Sequence, residues 1–125
     1  MVGRATVLQF VEDGCTKLVI TDLVAETLKT TAELAKSLNE KAIVETVAGD
    51  ITSDKFVDSL VLHALTTFGR LDYAVNNAGI AGKGGPTHLM EFNDYQLVQK
   101  VNIDALWMCE RAELRAMVEQ PLIKR

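Results

Sequence analysis

The chain has 125 residues, 48% of them apolar and 24% charged, which is enough for one buried core and too apolar for a disordered segment. A net charge of −4, with the basic residues scattered rather than gathered in a stripe, offers no footprint for a phosphate backbone, so no nucleic-acid partner is expected. No apolar run nears the roughly 20 residues that cross a bilayer, and Glu12-Asp13 stands where a signal peptide would be cleaved, so a soluble, cytoplasmic protein without a membrane partner is expected.

Ala5, Val7, Leu8 and Val11 describe one helix face, and Gly14 closes that helix as a C-terminal cap. KLVIT at 17–21 is a short β-branched run, too continuous for a half-exposed strand and suited to a parallel sheet covered on both faces; Asp22 ends it. From Ala25 to Glu40 a polar helix carries Leu28, Ala32, Ala35 and Leu38 on its buried side. A second strand, AIVETVAG at 42–49, ends in Asp50. Thr52 or Ser53 caps the next helix, whose stripe runs Phe56, Val57, Leu60, Val61, Ala64, Leu65 and Phe68 until Gly69 stops it. LDYAV at 71–75 reads as a third strand, followed by a Gly- and Pro-rich loop and, from about Asn93, a long helix through Leu97, Val101, Ala105, Met108 and Ala112.

Helices and strands alternating with short connections predict a doubly wound α/β sheet, in which ligands sit beyond the carboxyl ends of the strands. Asp22, Asp50 and the pair Asn76-Asn77 would all reach that edge. Cys15 and Cys109 lack the paired spacing of a disulfide framework or zinc site and are expected in the core, with no metal site.

Several segments resemble the short-chain dehydrogenases/reductases over essentially the whole chain. GRATVLQFVEDG is similar to the helix after that family's Gly-rich loop, VITD to its second strand, and GDIT to its adenine-contacting turn. NNAG matches the end of its fourth strand, and VNIDA its Val-Asn-x-x-Gly helix. The stretch from Gly79 to Met117 is most like fungal members that act on small secondary metabolites. The resemblance implies an incomplete Rossmann-type domain over 1–125, lacking the first strand and the strands after the fourth helix region. It implies an NAD(P)-dependent carbonyl/alcohol oxidoreductase with a small-molecule substrate, homo-oligomeric if completed.

The resemblance also assigns residues. Gly3 takes the place of the last glycine of the Gly-rich loop. Asn76, Ala78 and Gly79 would line the cofactor, with Asn77 chiefly structural; Asp50 would accept from the adenine amino group with Ile51 against the ring. Asp22 would hold the adenosine ribose hydroxyls and repel a 2′-phosphate, so that of NAD and NADP the former is favoured. Asn102 matches the helix asparagine whose carbonyl holds a water in the proton relay. The family's catalytic Ser, Tyr and Lys have no counterparts, so the chain by itself is expected to be inactive, and the alternative is a catalytically inactive remnant or nucleotide-binding module.

Other groups that could carry chemistry read otherwise. Tyr95 and Lys100 imitate a catalytic pair, but a spacing of five leaves them about 140° apart on an α-helix, where four would leave about 40°. His63 lies beside an apolar stripe and His88 in a loop, neither with a Ser, Cys or metal-ligand partner at useful spacing, and Glu110, Arg111, Glu113 and Arg115 are expected on a solvated face.

Overall fold

The computed structural model describes residues 2–123, in two compact units that divide between Asp50 and Ile51. The first contains α1 (Val2–Glu12), β1 (Lys17–Asp22), α2 (Ala25–Leu38) and β2 (Ile43–Ala48). β1 and β2 pair in parallel, Lys17 opposite Ile43 and Asp22 opposite Ala48, in a two-stranded sheet. The connection is the β-helix-β crossover that the alternating pattern predicts.

Local chemistry sets the ends of these elements. Gly14, at φ 95°, closes α1 with a Schellman pair: its N–H reaches Val11 O (3.1 Å) and that of Cys15 reaches Phe10 O (2.8 Å). Val11, Ala35 and Ala42 form a core against which Val7, Leu8, Leu18 and Val44 pack. On α2 the buried stripe is Leu28, Thr31 and Ala35, whereas the expected Leu38 is half exposed at 50%. Thr31 is tolerated there because its hydroxyl donates to Thr27 O (2.8 Å) and accepts from Arg4 Nε (3.1 Å). The strands are less covered than their apolar runs predict: within β1 only Ile20 is buried, since two strands give helices little sheet to cover.

The second unit holds α3 (Asp54–Phe68), a 3-10 turn (Thr87–Leu89), α4 (Phe92–Gln99), a π-helical turn (Lys100–Ala105) and α5 (Leu106–Glu119). Ser53 caps α3 by accepting from Phe56 N, and Gly69 ends it at φ 81°. Val57 on α3 packs with Cys109 and Ala112 on α5, joined by Ile51 and Val61. The third predicted strand, residues 71–75, does not form one: a strand exists through its ladder, and the sheet among the described residues contains only β1 and β2. The long helix appears as expected, except that a π turn interrupts it where the sequence shows neither Gly nor Pro.

Candidate functional site

In the first unit the parallel register brings two strand ends to one edge. Gly49 N–H donates to Asp22 O (3.0 Å), so Asp50 follows directly beside the Asp22 backbone. Asp22 Oδ1 accepts from Val24 N–H (3.0 Å), an Asx turn that starts the crossover into α2. The Asp22 side chain is otherwise exposed, leaving its second oxygen open. Gly3 lies in the first turn of α1.

In the second unit, three side chains from the helical run and its C-terminal end hold residues 71–80, which begin with the expected strand. Gln120 takes both polar groups of Leu71: the Leu71 N–H donates to Oε1 (3.0 Å) and Nε2 donates to Leu71 O (2.6 Å). Glu113 Oε2 accepts from Asn76 Nδ2 (2.9 Å). Asn102 repeats the two-point arrangement on Ile80, accepting its N–H at Oδ1 and donating Nδ2 to its carbonyl, both at 2.9 Å. Asn102 and Gln120 are separated by about 27 Å of helix at 1.5 Å per residue, and the nine steps from Leu71 to Ile80 span at most about 30 Å. The segment is therefore held close to full extension, antiparallel to the helix, by amides that replace the missing ladder.

This geometry gives the predicted residues more definite positions. A Cβ at Gly79 would lie 3.3 Å from Asn102 Oδ1, so what the missing side chain admits here is the Asn102 carboxamide. Asn76 is the amide tied to a neighbour, while Asn77, expected in a structural role, and Ala78 are exposed. Ile51 is half-buried against the Val57–Cys109–Ala112 cluster. The loop after Ile80 crosses α4 closely: Gly82 has φ 73°, and Lys83 pairs with Asp94 (3.0 Å).

Two residues depart from the solvated face expected for α5. Arg111 pairs with Asp54 (2.8 Å), lies 4.9 Å above the Trp107 ring, and buries an Nε with no hydrogen-bond partner. Glu113 is half-buried; burial pushes its carboxyl above the usual range, opposed by the Asn76 bond and reinforced by the charge of Glu110. Gln120 and Glu113 are not singled out from the sequence as residues that hold this segment, although with Asn102 they recur at 11 and 7 residues, near three and two helical turns. The Tyr95–Lys100 reading holds: Lys100 N–H still donates to Gln96 O, so the backbone keeps α pitch between them, and Tyr95 stacks on Phe92 (5.9 Å). Cys109 is buried and Cys15 half-buried. Among the described residues no helix is long and apolar enough to cross a membrane.

A family model described as enoyl-(acyl carrier protein) reductase matches residues 2–123. A chanoclavine-I dehydrogenase of Penicillium roqueforti is 34% identical over 125 residues, covering 96% of this chain and 48% of the relative. The structure of an NAD+-bound xylitol dehydrogenase superposes with a TM-score of 0.87 at 27% identity, covering 94% of this chain and 44% of that one. A metagenomic short-chain oxidoreductase in complex with NADP gives 0.84 at 26% identity, over 94% and 52%. The chain thus spans about half the length of the relatives it matches.

Proposed function

Because the chain belongs to the short-chain dehydrogenase/reductase family, we propose that it supplies the dinucleotide-binding portion of an oxidoreductase that interconverts a carbonyl and an alcohol on a small metabolite. The likeness to a fungal chanoclavine-I dehydrogenase supports a secondary metabolite as substrate class, and a cytoplasmic setting goes with that reading. When bound, the nicotinamide accepts or donates the hydride.

The observation that carries the proposal is the extended Asn76–Ile80 segment: exposed along its length, and pinned from behind by Asn102, whose carboxamide fills the side that Gly79 leaves free. A backbone anchored on one side and open on the other is what an extended dinucleotide needs to lie against. Asp22 fits the adenosine ribose, with one oxygen fixed by the Val24 N–H and the other open to a hydroxyl donor. Asp50 and Ile51 are assigned to the adenine, Gly3 to the pyrophosphate end, and Ala78 and Gly79 to the exposed backbone along the cofactor. Asn102 holds the segment at Ile80, and the same residue is assigned the relay water through its main-chain carbonyl. Turnover also requires an acid–base group, and no Tyr-x-x-x-Lys occurs within these 125 residues, so binding is the property to measure.

Isothermal titration with NAD+ and NADP+ tests the reading. NAD+ should bind more tightly, because a carboxylate at Asp22 repels a 2′-phosphate. Asp22→Asn keeps the acceptor that Val24 needs while removing the charge, and should weaken NAD+ about tenfold while relaxing discrimination. An unchanged ratio of the two dissociation constants would reduce Asp22 to a turn residue.

A further inference from the structure

Of the three side chains that hold the 71–80 segment, two are carboxamides that satisfy a main-chain pair, and the third is a carboxylate that grips another side chain. The difference is chemical. A neutral amide opposite Asn76 could accept from its Nδ2 or donate to its Oδ1, whereas an ionised carboxylate only accepts. Glu113 therefore admits one orientation of the Asn76 carboxamide, Nδ2 toward α5 and Oδ1 turned away from it.

The surroundings of Glu113 do nothing else for its charge. Asp72 and Tyr73 on the segment and Cys109 and Glu110 on α5 border it; Asp72 is itself paired with Arg70 (2.6 Å), which leaves Glu113 with the Asn76 amide as its partner. Half-burying a carboxylate near the charge of Glu110, with a neutral amide as its partner, is unfavourable, and an aliphatic side chain would pack there more stably. Such a local departure from the stable choice is expected where a position serves binding rather than folding.

We propose that Glu113 is a positioning residue for dinucleotide binding: by taking the Asn76 Nδ2–H it fixes Asn76 Oδ1 outward as an acceptor for a ribose hydroxyl, and so sets cofactor affinity without touching the cofactor. The proposal rests on the dinucleotide reading of the NNAG segment. It predicts that affinity and stability move in opposite directions at this position, which a structural role would not produce.

The experiment compares wild type, Glu113→Leu and Glu113→Gln by NAD+ titration and by thermal unfolding without ligand. Glu113→Leu should raise the NAD+ dissociation constant about fivefold, the worth of one ordered hydrogen bond, while the melting midpoint stays level or rises. Glu113→Gln, which permits both amide orientations, should fall between the two. In an Asn76→Ala background Glu113→Leu should have no further effect on affinity. An unchanged dissociation constant in Glu113→Leu, or an equal loss in the Asn76→Ala background, would overturn the proposal. The Asn76 side-chain amide resonances of the free protein give a readout independent of ligand and should shift on Glu113→Leu. Should wild type bind neither NAD+ nor NADP+, the dinucleotide reading falls together with the proposal, and a shift of those resonances identifies the ligand assignment, not the Glu113–Asn76 bond, as the fault.

Discussion

Replacing Asn102 by alanine isolates the clamp on Ile80. Two hydrogen bonds of 2.9 Å disappear, each contributing about 1 kcal/mol net. Ile80 is 37% exposed, so water can reach its freed N–H and carbonyl and the full burial penalty does not apply. Alanine also gains about 0.5 kcal/mol over asparagine within a helix, which opposes the loss. The net is a destabilisation of about 1.5 kcal/mol, a fall in the melting midpoint of roughly 6 °C for a chain of this size. Asn102→Asp separates the two bonds: its carboxylate still accepts the Ile80 N–H but faces the Ile80 carbonyl with no proton to donate, so the loss at pH 7 should shrink in acid as the carboxyl regains a donor. Because a Cβ at Gly79 would press on Asn102 Oδ1 at 3.3 Å, Gly79→Ala should be better tolerated in the Asn102→Ala background than in wild type. Urea denaturation measures the energies, and amide hydrogen exchange at Ile80 places them. If Asn102→Ala left both the midpoint and the Ile80 exchange rate unchanged, the clamp would be incidental and the account of how this segment is held would fail.

Gly82→Ala combines a left-handed φ of 73° with a Cβ 2.6 Å from Val98 Cγ2, and should cost about 2–4 kcal/mol in urea denaturation; Val98→Ala in the same background should recover the steric part alone. Glu113 makes stability depend on pH: its folded pKa is raised, so its contribution is fully present below about pH 4.3, the unfolded value, and is lost as pH rises through the folded one. Glu113→Gln should thus be more stable than wild type near neutral pH and converge with it in acid, and a constant difference across the range would refute the assignment. Burial, helped by the charge of Glu113, pushes the Cys109 thiol up, so iodoacetamide should label the half-buried Cys15 first, and equal rates would contradict the packing of α5 on α3.

Elements whose signals are local were legible in the sequence. The Gly14 and Gly69 helix ends, the Ser53 cap and the stripe of α3 each depend on a few adjacent residues and appear within a residue or two of where the pattern puts them. LDYAV failed because a strand is a relation between two segments: its apolar run carries the propensity, but propensity supplies no partner ladder. The π turn was invisible for the same reason, since nothing in KVNIDA marks it. The place of Asp22 at a strand end is readable from the pattern, while its bond to the Val24 N–H depends on the crossover that follows.

The solvated-face reading of α5 failed in a more instructive way. Charges at 110, 111, 113 and 115 on a helix are exposed in most proteins, and composition alone favours that outcome. Helical phase decides otherwise for two of them: Arg111 turns to Asp54 on α3, and Glu113 shares the stripe of Asn102 and Gln120, which is the stripe facing the 71–80 segment, whereas Glu110, one turn back, remains exposed. A polar residue every two or three turns on a single helical stripe, beside a short apolar run without a strand partner, is thus a readable pattern. It marks a helix whose side chains replace a sheet edge, and it locates the residues that hold the NNAG segment before any ligand is considered.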